Sequence, residues 1–307
     1  LPFFFYYSTY RNLDEYWKSE GKIWSKERDK FSGPGHAVTA AVQQLTLPGD
    51  TQDQKLRKIY AAVMQLENAD FTRQHSSAEE KAEGFKEIHN TDDVWERKRG
   101  NNDQLAELLI AMARAAGLKA YAMIVTDRDK SIFIKNYPSF GQFDDLIAIV
   151  NVDGKEEFFD PGSRFCPYES LHWKHTMAGG IRQTDGGTEL AQSPAQSYTT
   201  STTQRTADLT MDEHGIVTGK ITLHFTGSPA LSWRQKSLTG DAASREHDLL
   251  TNVESLLPQG MDVKIASIEK LADYEQPLTV NVEVKGASGS STGKRLLIPN
   301  DIFEANS

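Results

Sequence analysis

An α+β architecture, with helices packed on an antiparallel sheet and a β-rich region after it, is what the sequence predicts. Three observations carry this. Leu105, Leu108, Leu109, Met112 and Ala116 recur at the three-and-four spacing of a buried helical stripe, and Tyr121 to Val125 (YAMIV) follows as a strand. Phe143 to Asn151 and Glu156 to Asp160 read as two strands joined by Asp153-Gly154, a strong hairpin signal. Beyond Pro194, short alternating segments outnumber helical ones.

The first 32 residues are aromatic and basic, with FFFYY, Tyr16, Trp17, Trp24 and Phe31. Packing of a short helix on its neighbour is the favoured explanation over a carbohydrate-stacking surface. Ser32 to Gly35 turns the chain, and His36 to Leu45 is helical, with His36 as a capping or surface residue. Asp50 or Thr51 caps a helix from Gln52 to Glu67, with Leu56, Ile59, Tyr60, Val63 and Leu66 on one face. Asn68 to Arg99 is heavily charged. There His75 and His89 lie among Glu79, Glu80, Glu83 and Glu87, but Lys81 and Lys86 alternate with the acids, so a solvated face is expected and not a metal site. Asn101 and Asn102 stand where the cap of the main helix belongs, Asp103 adds charge to its first turn, and Gly117 ends it. Asp127 to Gly141 is a loop, and Gly179 to Gln192, with Gly-Gly twice, also reads as loop. In the last third, Ala207 to Met211, Thr218 to Gly227, Val263 to Leu271, Leu278 to Gly286 and Lys294 to Ile298 are strands. One amphipathic helix, Ser237 to Leu257, lies among them in a sandwich-type domain.

The segment RGNNDQLAELLIAMARAAGLKAYAMIV, with Phe143-Asp144-Asp145-Leu146-Ile147 and Phe158-Phe159-Asp160-Pro161-Gly162 after it, resembles the core of the transglutaminase-like superfamily. The resemblance runs from about Gln54 to Arg182. It implies a papain-like layout in which a Cys at the mouth of the helix, a His in one strand and an Asp in the next form a cysteine-hydrolase or acyl-transfer triad. Matched by motif, those positions here hold Asn102, Asp145 and Asp160.

An amide is not a useful nucleophile at neutral pH. A carboxylate cannot replace the imidazolium either, because it carries the wrong charge and titrates several pH units too low. The expectation is therefore a scaffold without cysteine catalysis that binds a peptide or cell-envelope polymer or serves assembly. Two alternatives stand beside it. Cys166, the single cysteine, is followed by His172 and His175 and could be a relocated nucleophile, although a small buried side chain is the commoner role for such a residue. Asp103, Asp144, Asp145 and Asp160 could converge on a cation such as Ca²⁺. The simpler arrangement has Asp145 accept hydrogen bonds from Asn102 and nearby backbone. No cofactor is called for.

The net charge of −9 argues against nucleic acid and anionic membrane surfaces as partners, and no apolar run is long enough to span a bilayer. One cysteine excludes an intramolecular disulfide. The expected domains are a lead-in over 1–50, a transglutaminase-like domain over 51–193 and a β-rich accessory domain over 194–307, which is expected to continue past Ser307. The chain opens on Leu1-Pro2 and not on Met, as a trimmed chain would, so the lack of a leader excludes no export. By resemblance alone, the periplasm or cell envelope of a bacterium is the expected location.

Overall fold

In the computed structural model the chain first lays down three helices, α1 (Leu13–Phe31), α2 (His36–Leu45) and α3 (Gln52–Met64). The structure describes residues 10–72, 79, 87–239, 242–257, 260–287, 290–291 and 295–297. The FFFYY run, His75, Glu80, Lys81, Glu83, Lys86 and Phe303 lie outside the described residues. By contact clustering the chain divides into two compact units, Leu1–Gln196 and Ser197–Ser307.

In the first unit α1 turns Trp17 and Trp24 inward, so these aromatics pack and do not form a stacking surface. Gly21 sits between them because a side chain there would meet Thr188 Oγ1 at 2.6 Å. Thr51 caps α3 in a full capping box with Gln54. Helix α2 starts behind Gly35, which offers no side-chain cap; Asp92 supplies it from another element, accepting from the Ala37 and Val38 N–H groups. His36 is thus the first helical residue and not the cap.

Strand β1 (Glu67–Asn68) pairs in parallel with β2 (Arg99–Gly100), and α4 (Thr91–Arg97) lies between them in sequence. The main helix, α5 (Asn102–Ala115), has Asn101 as its cap, again in a capping box, here with Gln104. Leu105 to Ala113 are buried without a break, so α5 is covered all round, beyond the single stripe read from its spacing. Each fully buried Leu, Ile or Met is worth about 1.5–3 kcal/mol. Gly117, at φ +84°, stops the helix.

Strands β3 (Ala120–Val125), β4 (Asp145–Val152) and β5 (Lys155–Phe159) follow, and Asp153 and Gly154 both adopt positive φ, as the hairpin signal required. Gly179 to Gln192 is not a loop. It forms a hairpin of β6 (Gly179–Thr184) and β7 (Gly187–Gln192), completing an antiparallel sheet of order β5-β4-β3-β6-β7. The glycines that suggested a loop are there for close packing. A side chain at Gly180 would strike the Ile124 carbonyl, and one at Gly179 would meet Phe133 at 2.6 Å. Helix α5 packs on β3 and β4, while Leu171 and Ala178 join Met123, Val125, Ile147 and Ile149 in a cluster on the same strands. Leu146 to Val150 are accordingly buried on both faces.

The second unit holds β8 (Thr203–Met211), β9 (Ile216–Phe225), α6 (Gly227–Thr239), α7 (Ala242–Glu254), β10 (Met261–Glu269) and β11 (Leu278–Ala287). Its sheet has the order β10-β11-β9-β8 and is antiparallel throughout. The expected single helix is two helices, the first starting ten residues earlier than predicted. The unit is also not a sandwich: Val217, Ile221, Phe225, Val280 and Val282 meet Ala230, Leu249 and Val253 of the helices across one sheet face. Polar and charged residues such as Asp208, Lys220, Lys264 and Glu283 line an open trough of about 760 Å³ along this sheet. Arg234 of α6 is almost wholly buried, and its guanidinium donates to the Lys270, Asp273, Tyr274 and Gln276 carbonyls, stitching the β10–β11 connection closed.

Candidate functional site

The mouth of α5 is pinned from three sides. The Asn102 N–H donates to Asp70 Oδ2 at 2.8 Å, and the Asn102 side-chain oxygen accepts from Asn68 Nδ2 at 2.9 Å. The same Asn68 amide donates to the Gly162 carbonyl at 2.7 Å. Gly162 approaches so closely that a Cβ there would lie 2.6 Å from the Asn102 carbonyl oxygen. Asp103 Oδ1 accepts from the Leu146 N–H at 2.9 Å, tying the helix to the start of β4 beside Asp145. Helix, strand and post-β5 segment thus bring Asn102, Asp145 and Asp160 into one region.

Asp145 is not satisfied by Asn102. Its Oδ2 meets His175 Nε2 at 2.9 Å and Lys174 Nζ at 3.1 Å. His175 Nδ1 lies 2.7 Å from Oδ2 of Asp160, which is buried just past β5. Asp160 also accepts from the His172 N–H at 3.0 Å and the Ser163 N–H at 3.3 Å. A one-turn 3-10 helix, Trp173–His175, delivers the ring, and Ser193 Oγ holds its backbone by donating to the His175 carbonyl. Lys174 Nζ extends the chain of charge to Asp127 at 3.1 Å. Lys130 closes it by meeting Asp144 at 3.1 Å and Asp127 at 3.6 Å.

An imidazole flanked by two carboxylates has to carry both ring protons, since a neutral ring would set one lone pair against an anion. Burial disfavours the charge on His175, but Asp160 and Asp145 overcome it and lift the ring to about 9. Burial likewise works to raise Asp145 and Asp160, yet the His175 charge and hydrogen bonds hold both below the ordinary carboxylate range, with Lys174 helping at Asp145. His172 goes the other way, and burial lowers it. Glu107, one turn along α5 from Asp103, is pushed up to about 7 by burial, against the opposing charge of Arg28. Arg28 Nη1 lies 3.0 Å from Glu107 Oε1, but off the hydrogen-bonding line, so the contact is one of charge.

The four aspartates do not converge on a cation. Asp145 and Asp160 are separated by the imidazolium, Asp103 faces the Leu146 N–H, and Asp144 accepts from the Asp127 N–H and Lys130. Among the described residues no group of three His, Cys, Asp or Glu side chains is placed to hold a metal. Cys166 is fully buried. Its thiol donates to the Ser170 carbonyl at 3.3 Å, and its own carbonyl accepts from Tyr60 Oη at 2.8 Å. Both ring nitrogens of His175 are already taken by the aspartates, and His172 Nδ1 accepts from the Lys174 N–H.

Sequence reasoning paired His175 only with Cys166 and passed over Asn68, Asp70, Asp127 and Lys174. No local signal marks them, because His175 stands 30 residues from Asp145 and 15 from Asp160. The clue that was present is the exchange at Asp145 itself: a carboxylate placed in a buried strand end calls for a cation from elsewhere.

The sequence model of the transglutaminase-like superfamily matches residues 39–169, ending before His175. No curated protein matches the chain. Among solved structures, one from Parabacteroides distasonis described as a candidate protease is similar with a TM-score of 0.40 and 11% identity, over 92% of this chain and 54% of that one. The chain thus spans about half the length of that protein. Among the described residues no helix is long and apolar enough to cross a membrane. The chain carries a transglutaminase-like domain over residues 39–169, in an α+β core followed by a β-rich region.

Proposed function

We propose that this domain is a non-catalytic member of its superfamily, a binding or assembly module whose former reaction centre is closed by an ion clamp. The observation that carries the reading is the His175 ring, held at both nitrogens by Asp145 and Asp160. A general base needs a free lone pair, and an imidazolium donating to two carboxylates has none. The triad-equivalent positions then have structural roles. Asn102 knits the helix mouth to Asn68, and Asp145 and Asp160 anchor the segment that carries the ring. The Cys166 thiol is buried and spent on a carbonyl, so the relocated-nucleophile reading lacks both an exposed sulfur and a free imidazole. A peptide or cell-envelope polymer as partner, and an exported location, follow from the family resemblance.

Turnover of casein and of peptide amides by the purified chain is the direct test. We expect none, together with slow labelling of Cys166 by iodoacetamide below pH 7 in the folded state. Hydrolysis or acyl transfer that disappears with Cys166→Ser or with Asn102→Ala would overturn the reading.

A further inference from the structure

Eight large apolar side chains are exposed among the described residues, and five of them, Ile132, Ile134, Tyr137, Trp173 and Met177, come from two adjoining segments. Arg128 joins those segments, its N–H donating to the Lys174 carbonyl and its guanidinium to the Trp173 and Thr176 carbonyls. The loop that carries Ile132 and Ile134 is clamped from within. Phe133 stacks on Phe143 at 5.4 Å, Trp17 Nε1 donates to the Lys135 carbonyl, and the Gln142 amide bonds to the Ile134 and Tyr137 backbone. Along this extended stretch Phe133 points inward, while Ile132 is 78% and Ile134 57% exposed. A rigid backbone therefore presents apolar groups on the face where polar ones are ordinarily placed.

Two further features indicate what covers this face. Lys130 faces Asp127 and Asp144, and Lys135 faces Asp14 at 3.5 Å, so the charges beside the loop are paired, with cations and carboxylates side by side. Beside the loop, Trp17, Lys18 and Lys135 share the lining of a cavity of about 280 Å³ with Asp14 and Glu189. Paired cations and carboxylates in a small cavity complement the phosphate and ammonium of a zwitterionic headgroup. Projecting Ile tips suit a deformable apolar medium, and Tyr and Trp favour the water–hydrocarbon boundary. We infer that this face docks peripherally on a phospholipid bilayer, with Ile132 and Ile134 entering the acyl boundary and a phosphoethanolamine headgroup seated between Lys18, Lys135 and Asp14. The inference does not depend on whether the clamped site is active.

Co-sedimentation of the full chain with zwitterionic vesicles of phosphatidylethanolamine and phosphatidylcholine tests it. Ile132→Glu with Ile134→Glu should lower partitioning by at least about tenfold, and Lys18→Ala with Lys135→Ala by about fivefold or more. Trp173 emission should be quenched by brominated acyl chains, a signal that Trp173→Phe removes. All of these side chains are exposed, and an unchanged melting temperature checks folding. Failure to bind vesicles, binding unaffected by the Ile132/Ile134 variant, or capture of a soluble apolar peptide in place of vesicles would each overturn the inference.

Discussion

Replacing His175 with Gln removes the one cation among the described residues that touches both Asp145 and Asp160. The imidazole is lifted from 6.5 to about 9, and at about 1.4 kcal/mol per pH unit the charged ring is worth about 3 kcal/mol to the fold. Losing one partner of a buried ion pair costs about 3–5 kcal/mol, which agrees. For a base whose folded value is raised, the stabilisation is fully present below 6.5 and is lost as pH climbs through about 9. The lowered carboxylates act on the other side: their contribution is present above their ordinary range and is lost as acid protonates them. Both flanks report one interaction, so their magnitudes are not summed. Denaturant unfolding followed by tryptophan fluorescence reads mainly the first unit, since Trp17, Trp24, Trp95 and Trp173 lie in it and only Trp233 does not. Wild type should lose about 3 kcal/mol between pH 6.5 and 9.5, and His175→Gln should be destabilised at pH 6.5 and flat from pH 7.5 upward. Imidazole ¹⁵N spectra give the direct readout, with both His175 nitrogens protonated at pH 7.5. A His175 ring that titrates at or below 6.5 would refute the reasoning.

Other perturbations follow from single contacts. Glu107 is an acid whose folded value is raised to about 7, so the folded state keeps a proton that the unfolded chain releases, and stability falls as pH rises from 4.5 to about 7. Glu107→Gln should flatten that window, with a gain at pH 8 of up to about 3 kcal/mol; an unchanged pH profile would refute the assignment. Gly162→Ala should cost about 1–3 kcal/mol in thermal unfolding, because its methyl group would press on the Asn102 backbone and not on a yielding side chain. Arg234→Met strips the donors from the carbonyls of the β10–β11 connection. It should destabilise the second unit by about 1–3 kcal/mol, with faster amide exchange over residues 270–276; full protection there would count against the stitch.

The elements legible in the sequence were those whose signal is local. Helix α5 declared itself by spacing and by its Asn101 and Gly117 ends, and the β4–β5 hairpin by Asp153-Gly154. The β6–β7 hairpin did not, because Gly179 and Gly180 owe their identity to Phe133 and Ile124, neighbours that only the folded sheet supplies. Helix α6 was not legible back to Gly227 either, because the Gly227-Ser228-Pro229 that opens it reads as a turn after a strand. At the site, motif order was enough to place Asn102, Asp145 and Asp160 near one another. The ring between the two acids was not legible, since its position depends on a turn after the last motif and on Ser193 beyond it. Partners chosen by long-range charge leave no periodicity to read.

The short parallel ladder that joins Glu67 and Asn68 to Arg99 and Gly100 has an evolutionary consequence. It ties the neck of a 30-residue excursion immediately before the helix that bears Asn102, so whatever the intervening chain does, its two ends arrive at the same place. Doubling the length of a flexible loop costs only about 0.6 kcal/mol. Within it Asp70 holds the Asn102 N–H, Asp92 caps α2, and Thr91 and Val94 are buried, so changes of length are tolerated only between Asp70 and Thr91, while Asn68 keeps its grip on Asn102. That inner span is where a tag can be spliced in without breaking those ties.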